Sequence, residues 1–191
     1  MAYQYIPDTN DIFITEAEIT DFRGTNITIA QSGLVNSMST AVQRYDFKVK
    51  VQAMNHQAIR ELQAFLAEHQ CTPFYIKLPL LDSAASSNSF VGEAANPRST
   101  QILVSGHRGS IRRGDYLSFL NHYKIYQALN NVERDGLLKI TPPLRAPLKA
   151  QDQVILKDQK VLVLLTNTQI EVKHNGEFKC AEFSLELKER F

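Results

Sequence analysis

At 191 residues with 43% apolar side chains, the chain is long enough for one domain or two small ones and can bury a core, which excludes general disorder. Lys and Arg number 21 against 20 for Asp and Glu, a formal net charge of +1, so no overall field draws it to nucleic acid or an acidic membrane, and electrostatic partners are met locally. The longest aliphatic run, Val161 to Leu165, falls far short of the roughly 18 residues of a membrane helix, and residues 1–7 lack the basic start and apolar middle of a secretory signal, so maturation in a cytoplasm is expected.

The N-terminal stretch carries Asp8, Asp11, Glu16, Glu18 and Asp21 before its first base, Arg23. The first clear element is a strand in which Tyr45, Phe47, Val49 and Val51 alternate with Asp46, Lys48, Lys50 and Gln52, turning one face to a core and one to water. Asn55 then offers an N-cap, and the segment through His69 sets Ile59, Leu62, Phe65 and Leu66 on one stripe, which predicts a helix over 55–69 lying on that strand's sheet. Burying those side chains contributes on the order of 1.5–3 kcal/mol each, enough to decide where the helix docks. Phe74 to Leu78 reads as a short strand that Pro79 ends.

From Asp82 to Thr100 the composition shifts to Ser, Ala, Asn, Gly and Pro, the signature of a long flexible loop and a boundary. Beyond it, short strands and turns follow one another as a compact β module. Gly114-Asp115 turns the chain into a strand with Leu117 and Phe119 on one face, Tyr123 to Gln127 follows, and Pro142-Pro143 stops a third strand that starts at Leu137. Strands return at 154–156, 161–165, 168–174 and 177–187. Val161 to Leu165, apolar on both strand faces, suits either a doubly covered sheet or a subunit contact, and is assigned to the core. Asn175-Gly176 predicts a tight hairpin turn. Phe178 and Cys180 share one phase while Phe183, Leu185 and Leu187 share the other, which a β-bulge near Ala181-Glu182 reconciles. Cys71 and Cys180 have no partner spacing and are expected to be reduced and buried as small hydrophobes.

The expected fold class is mainly β with one main helix (α+β), a β-sandwich or barrel-like sheet carrying an inserted small β-barrel module. Residues 1–81 form an N-terminal β domain completed by 158–191, 82–100 is the flexible loop, and 101–157 is the barrel-like module.

No residue pattern announces catalysis. Ser110 lies near His107 and Asp115, but without the strand-to-helix elbow that activates a serine these read as a polar turn. The histidines lack metal-ligand spacing, His69 and Cys71 supply two ligands without a third, and no glycine-rich phosphate loop occurs. Glu16 with Glu18, and Glu182 with Glu186, read as solvated strand faces. No catalytic residue, metal or cofactor is therefore expected. One charge feature stands out: from Arg98 through Arg108, Arg112 and Arg113 no acid occurs. Arg108, Arg112 and Arg113 are candidate subunit-contact residues, complementary to the N-terminal acids of another copy. The same arginines could contact phosphates, with Tyr116, Phe119 and Tyr123 as stacking surfaces in an oligonucleotide-binding barrel.

The strand Arg44 to Val51, the helix end Leu62 to Ala67, and the segments Thr72 to Pro79, Ile111 to Phe119, Lys124 to Gln127 and Ile140 to Arg145 occur in an order that resembles tail-tip and baseplate proteins of long-tailed bacteriophages. The likeness is to the distal tail protein group and related baseplate adaptors. It implies a structural virion protein, not an enzyme, made in the host bacterial cytoplasm and located at the tail tip. It also implies a ring, commonly of six copies, joining the tail tube to the hub or receptor-binding apparatus. Implied partners are the chain itself, tail tube and baseplate hub proteins, with no specific nucleic acid and no membrane insertion. Larger members carry a C-terminal carbohydrate-binding domain that does not follow here. A cell-wall (peptidoglycan) hydrolase of the tail tip and a nucleic-acid-binding β-barrel are the alternatives.

Overall fold

The computed structural model describes residues 3–29, 32, 35–83, 88–106, 108–176 and 179–191, the side chains of 25–27 and 35–42 excepted. In chain order the strands are β1 (Ile12–Ile29), β2 (Val35–Ala53), β3 (Phe74–Lys77), β4 (Ser89–Val91), β5 (Gln101–Ser105) and β6 (Tyr116–Phe119). They continue with β7 (His122–Ala128), β8 (Gly136–Thr141), β9 (Gln153–Ile155), β10 (Lys160–Leu165), β11 (Glu171–Asn175) and β12 (Cys180–Glu189). Helix α1 (His56–Glu68) lies between β2 and β3, so the chain is mainly β with one helix.

A sheet in the order β1-β2-β12-β10-β3, with β11 also on β12, is built from the two ends of the chain. Its alternation is the one the sequence spells. Tyr45, Phe47, Val49 and Val51 are buried, and the last three pair in register with Leu187, Leu185 and Phe183 of β12 and with Ile19, Ala17 and Ile14 of β1. Val161, Val163 and Leu165 extend this core along β10, so the apolar run there is interior. α1 covers the same face: the Asn55 side chain accepts from the Ala58 N–H at 2.8 Å, and Ala58, Ile59, Leu62, Phe65 and Leu66 are buried. Phe65 meets Phe74 edge-on at 5.2 Å and stacks on His69 at 4.1 Å, closing the helix end over β3.

The second unit is a closed barrel, β4-β5-β8-β7-β6-β9, filled by Val104, Leu117, Phe119, Tyr126, Leu138 and Val154 among others. β4 corrects the loop expected over 82–100: Ser89–Val91 pairs with both β5 and β9 and completes the wall. Ser89 is buried because its hydroxyl donates to the Ser105 carbonyl at 2.6 Å, and Ala95 pairs with Leu148. Three residues are too few to show a strand period, which is why composition misled.

Two expectations in β12 also change. Asn175 pairs with Cys180, so four residues rather than two separate the paired ends, and Lys179 among them has φ 51°. The pairing of β12 with β2 and β11 runs without a bulge. Cys180 is half-buried on the face opposite Ala181, Phe183, Leu185 and Leu187, so the described part of the strand needs no bulge; Phe178 lies outside the described residues. Cys71 is exposed and Cys180 only half-buried, since α1 ends at Glu68 and residues 70–72 run over the surface.

The barrel is fixed to the sheet by a buried ion pair. Lys124 of β7 and Glu189 of β12 pair with both side chains fully buried. Glu189 also accepts from the Tyr45 N–H at 3.0 Å and the Ile125 N–H at 2.8 Å. Burial pushes the Glu189 carboxyl up and the Lys124 ammonium down, and each is pulled back by its partner's charge. Further bonds join residues of the two units: Gln159 donates to the carbonyls of Leu81 and Tyr116 at 2.7 and 2.8 Å, and Ser83 donates to Asp115 at 2.5 Å.

Candidate assembly surfaces

Arg108, Arg112 and Arg113 lie exposed on the β5–β6 connection, which the structure brings together at one end of the barrel. The backbone there is tied down. The Gly106 N–H donates to Asp135 and the Arg113 N–H to Asn131, each at 2.8 Å, the Arg112 N–H donates to Asp115 at 2.9 Å, and Ile111 pairs with Val132. The guanidinium groups therefore project from a pinned loop, and Arg112 and Arg113 form no ion pair among the described residues. Arg98 belongs elsewhere, held by its N–H to the Leu144 carbonyl at 2.7 Å.

The acids expected to complement these arginines do not form an acidic patch. Glu16 pairs with Lys50 at 2.6 Å, Glu18 sits across from Lys48, and Asp21 pairs with Arg23 at 2.6 Å. A sequence run counts charges along one strand, whereas the sheet sets the lysines of β2 beside the acids of β1. The three rings considered for stacking are also dispersed. Phe119 is buried in the barrel, Tyr116 packs edge-on against Tyr45 at 5.7 Å, and Tyr123 joins Tyr3 and Tyr75. Asp115 is engaged by Ser83 and Arg112, and His107 lies outside the described residues.

A surface the sequence reading missed is the far half of the β1–β2 hairpin. β12 stops pairing with β2 at Asp46, yet β1 and β2 stay paired to Ile29 and Val35. What projects is a two-stranded arm whose sequence has no charged residue between Arg23 and Arg44, and Ile29 on it is 68% exposed. From Phe13 to Phe22 the outer edge of β1 makes no backbone hydrogen bond to any element but β2, among the described residues. The visible signal was the missing charge together with the Thr25-Asn-Ile-Thr-Ile29 alternation.

Near the barrel junction, Tyr5 stacks on Tyr75 at 5.1 Å beside a cleft of about 550 Å³ lined by Phe13, Lys77 and Lys160. The Lys160 ammonium lies over the Tyr5 ring at 4.9 Å, so the chain's own cation occupies this aromatic surface. Among the described residues, no group of three or more His, Cys, Asp or Glu could hold a metal ion, and no helix is long and apolar enough to cross a membrane.

His122 secures the barrel's far side. Its Nδ1–H donates to Asn121 at 2.6 Å and its Nε2 accepts from the Tyr126 hydroxyl at 2.7 Å, and that hydroxyl accepts from the Arg145 N–H at 3.0 Å. Burial pushes the imidazole down to about 4, against a smaller upward pull from Asp152. The fold thus favours the neutral ring: its contribution is full above the unfolded value near 6.5 and is lost as pH falls from there to about 4. Wild type should lose about 2 kcal/mol over that window, allowing for the ring's partial exposure. His122→Phe should flatten this part of the pH profile in urea unfolding; parallel profiles would rule the assignment out.

Comparison with known proteins returns no matching family model and no matching curated relative.

Proposed function

We propose that this chain is a structural virion protein of a phage tail tip or baseplate, whose copies form a ring joining the tail tube to the hub or receptor-binding apparatus. The observation that carries the reading is the β1–β2 hairpin, with its uncharged arm and, leading into it, the open β1 edge from Phe13 to Phe22. A two-stranded ribbon is marginally stable by itself, and a row of unpaired N–H and C=O groups is a template for another strand. An uncharged ribbon loses little on being covered, because it has no ion to desolvate. A head-to-tail contact repeated around a closed rotation covers every arm and leaves no growing end.

Sedimentation and negative-stain imaging of the purified chain test the reading. Rings are expected, and antibody labelling should place them at the tail tip of intact particles. A chain that stays monomeric at high concentration, or one that lyses peptidoglycan in zymography, speaks against it. Ile29→Asp puts a charge on the arm without touching the core, so the variant should keep its circular dichroism spectrum while association weakens at least about tenfold. Undiminished assembly of that variant would remove the arm from the contact.

A further inference from the structure

Three barrel strands present apolar side chains to solvent on one face. Phe90 of β4, Leu103 of β5 and Leu137 of β8 share the outward phase, Leu103 directly across from Leu137, and Leu129 joins them through its N–H to the Lys139 carbonyl at 2.8 Å. Leu137 is 50% exposed, Leu129 43% and Phe90 42%. Glycines leave room for its side chains. A Cβ on Gly92 would meet Leu103 at 3.0 Å, and one on Gly106, at φ +77°, would meet Phe90 at 3.3 Å. Scattered exposed leucines need no explanation, but a contiguous strip across adjacent strands marks a contact surface.

The strip's rim has a basic excess: Arg112, Arg113, Arg134 and Lys139 are exposed there against Glu133 and Asp135. Asn131 accepts from the Arg113 N–H, while Asn130 donates to the Leu137 carbonyl at 3.0 Å and accepts from the Lys139 N–H at 2.6 Å. The loop holding the arginines is therefore joined to the strand holding the leucine. Arginine around an apolar centre is the composition of protein interfaces, where the planar fork grips carboxylates. We propose that this face docks an acidic protein other than the chain itself, with an apolar anchor between Phe90 and Leu137 and carboxylates on Arg112 and Arg113.

A second copy is the poorer occupant because three of its N-terminal acids, Glu16, Glu18 and Asp21, already lie beside or across from bases of the same chain. Nucleic acid is poorer still, since Phe119 and Tyr116 are withdrawn from the surface and Phe90 is the one ring in the strip.

The test uses the full chain and three labelled twelve-residue peptides: alternating Leu and Glu, alternating Leu and Lys, and Glu alone. By fluorescence anisotropy only the Leu/Glu peptide should bind, at least tenfold more weakly to Leu137→Ser and to Arg112→Glu/Arg113→Glu, and more weakly as salt rises. Equal binding of the three peptides, or affinity untouched by both variants, overturns the proposal. So does an arginine-dependent affinity for single-stranded oligonucleotide, or a drop in the wild type's own sedimentation coefficient on Leu137→Ser. Both substitutions are at exposed positions, and circular dichroism checks that each variant folds. Ring formation by the wild type is read separately, so the docking face and the ring can fail independently.

Discussion

Glu189→Ala is expected to destabilise the protein by about 3–5 kcal/mol, the range for breaking a buried ion pair by removing one partner. The substitution leaves the Lys124 ammonium enclosed with no counter-charge and strips the acceptor from the Tyr45 and Ile125 N–H groups. Domains of this size have about 5–15 kcal/mol in total, so the loss is a large share of what holds the fold. The cost comes from orphaning groups rather than from any large net gain of the pair. Lys124→Met/Glu189→Gln should therefore be milder, since it removes both charges and keeps an amide oxygen for one of the two backbone donors, which bond to different oxygens of Glu189. Urea unfolding followed by tyrosine fluorescence and circular dichroism measures both. A Glu189→Ala variant within about 1 kcal/mol of wild type would show that water or relaxation satisfies the site.

The second large effect is expected at Leu62, fully buried within the stripe by which α1 lies over β2 and β12. Leu62→Glu forfeits about 1.5–3 kcal/mol of burial and places a carboxylate where no cation awaits it, at several kcal/mol more. The sum approaches the whole stability of the sheet unit, which should lose its structure. Leu62→Ala, which only leaves a cavity, should cost about 2–5 kcal/mol and still fold. Because the sheet and barrel fill largely separate cores, with Ile125 of β7 the barrel-strand residue buried in the sheet's, limited proteolysis of Leu62→Glu should digest the sheet first and the barrel strands last. Native-like resistance throughout would mean the helix can slide or rotate to release the charge.

Where a segment meets one core on one face, its role could be read directly. β2 shows strict alternation, and α1 has both its stripe and its Asn55 cap. The arm was illegible for the opposite reason: beyond its root, where the Gln43 side chain accepts from the Thr141 hydroxyl at 3.2 Å, its backbone pairing is of the two strands with each other, so no apolar face is imposed on them. Glu189 lay in plain sight, because it continues the phase of Phe183, Leu185 and Leu187. A carboxylate at the next core-facing position demands a buried cation. What could not be foreseen was that Lys124, flanked by Tyr123 and Ile125 on a different unit, would supply it. The candidate contact surface was half legible: the arginines form a run in the sequence, whereas the leucines beside them come from strands that only the barrel's closure makes neighbours.

The way the chain threads its two units has a consequence during synthesis. β4 to β9 are contiguous, and β10 and β12 follow them, so a ribosome delivers every barrel strand before the middle of the sheet exists. Until the last strands emerge, β2 lacks β12, and the apolar face under α1 has lost a neighbour it needs. Nascent chains that have emerged from the ribosome only as far as about residue 159 should thus carry a protease-resistant barrel and a protease-sensitive N-terminal segment. Release of the final thirty or so residues, with Glu189 arriving among them, completes the sheet and locks the barrel in one step.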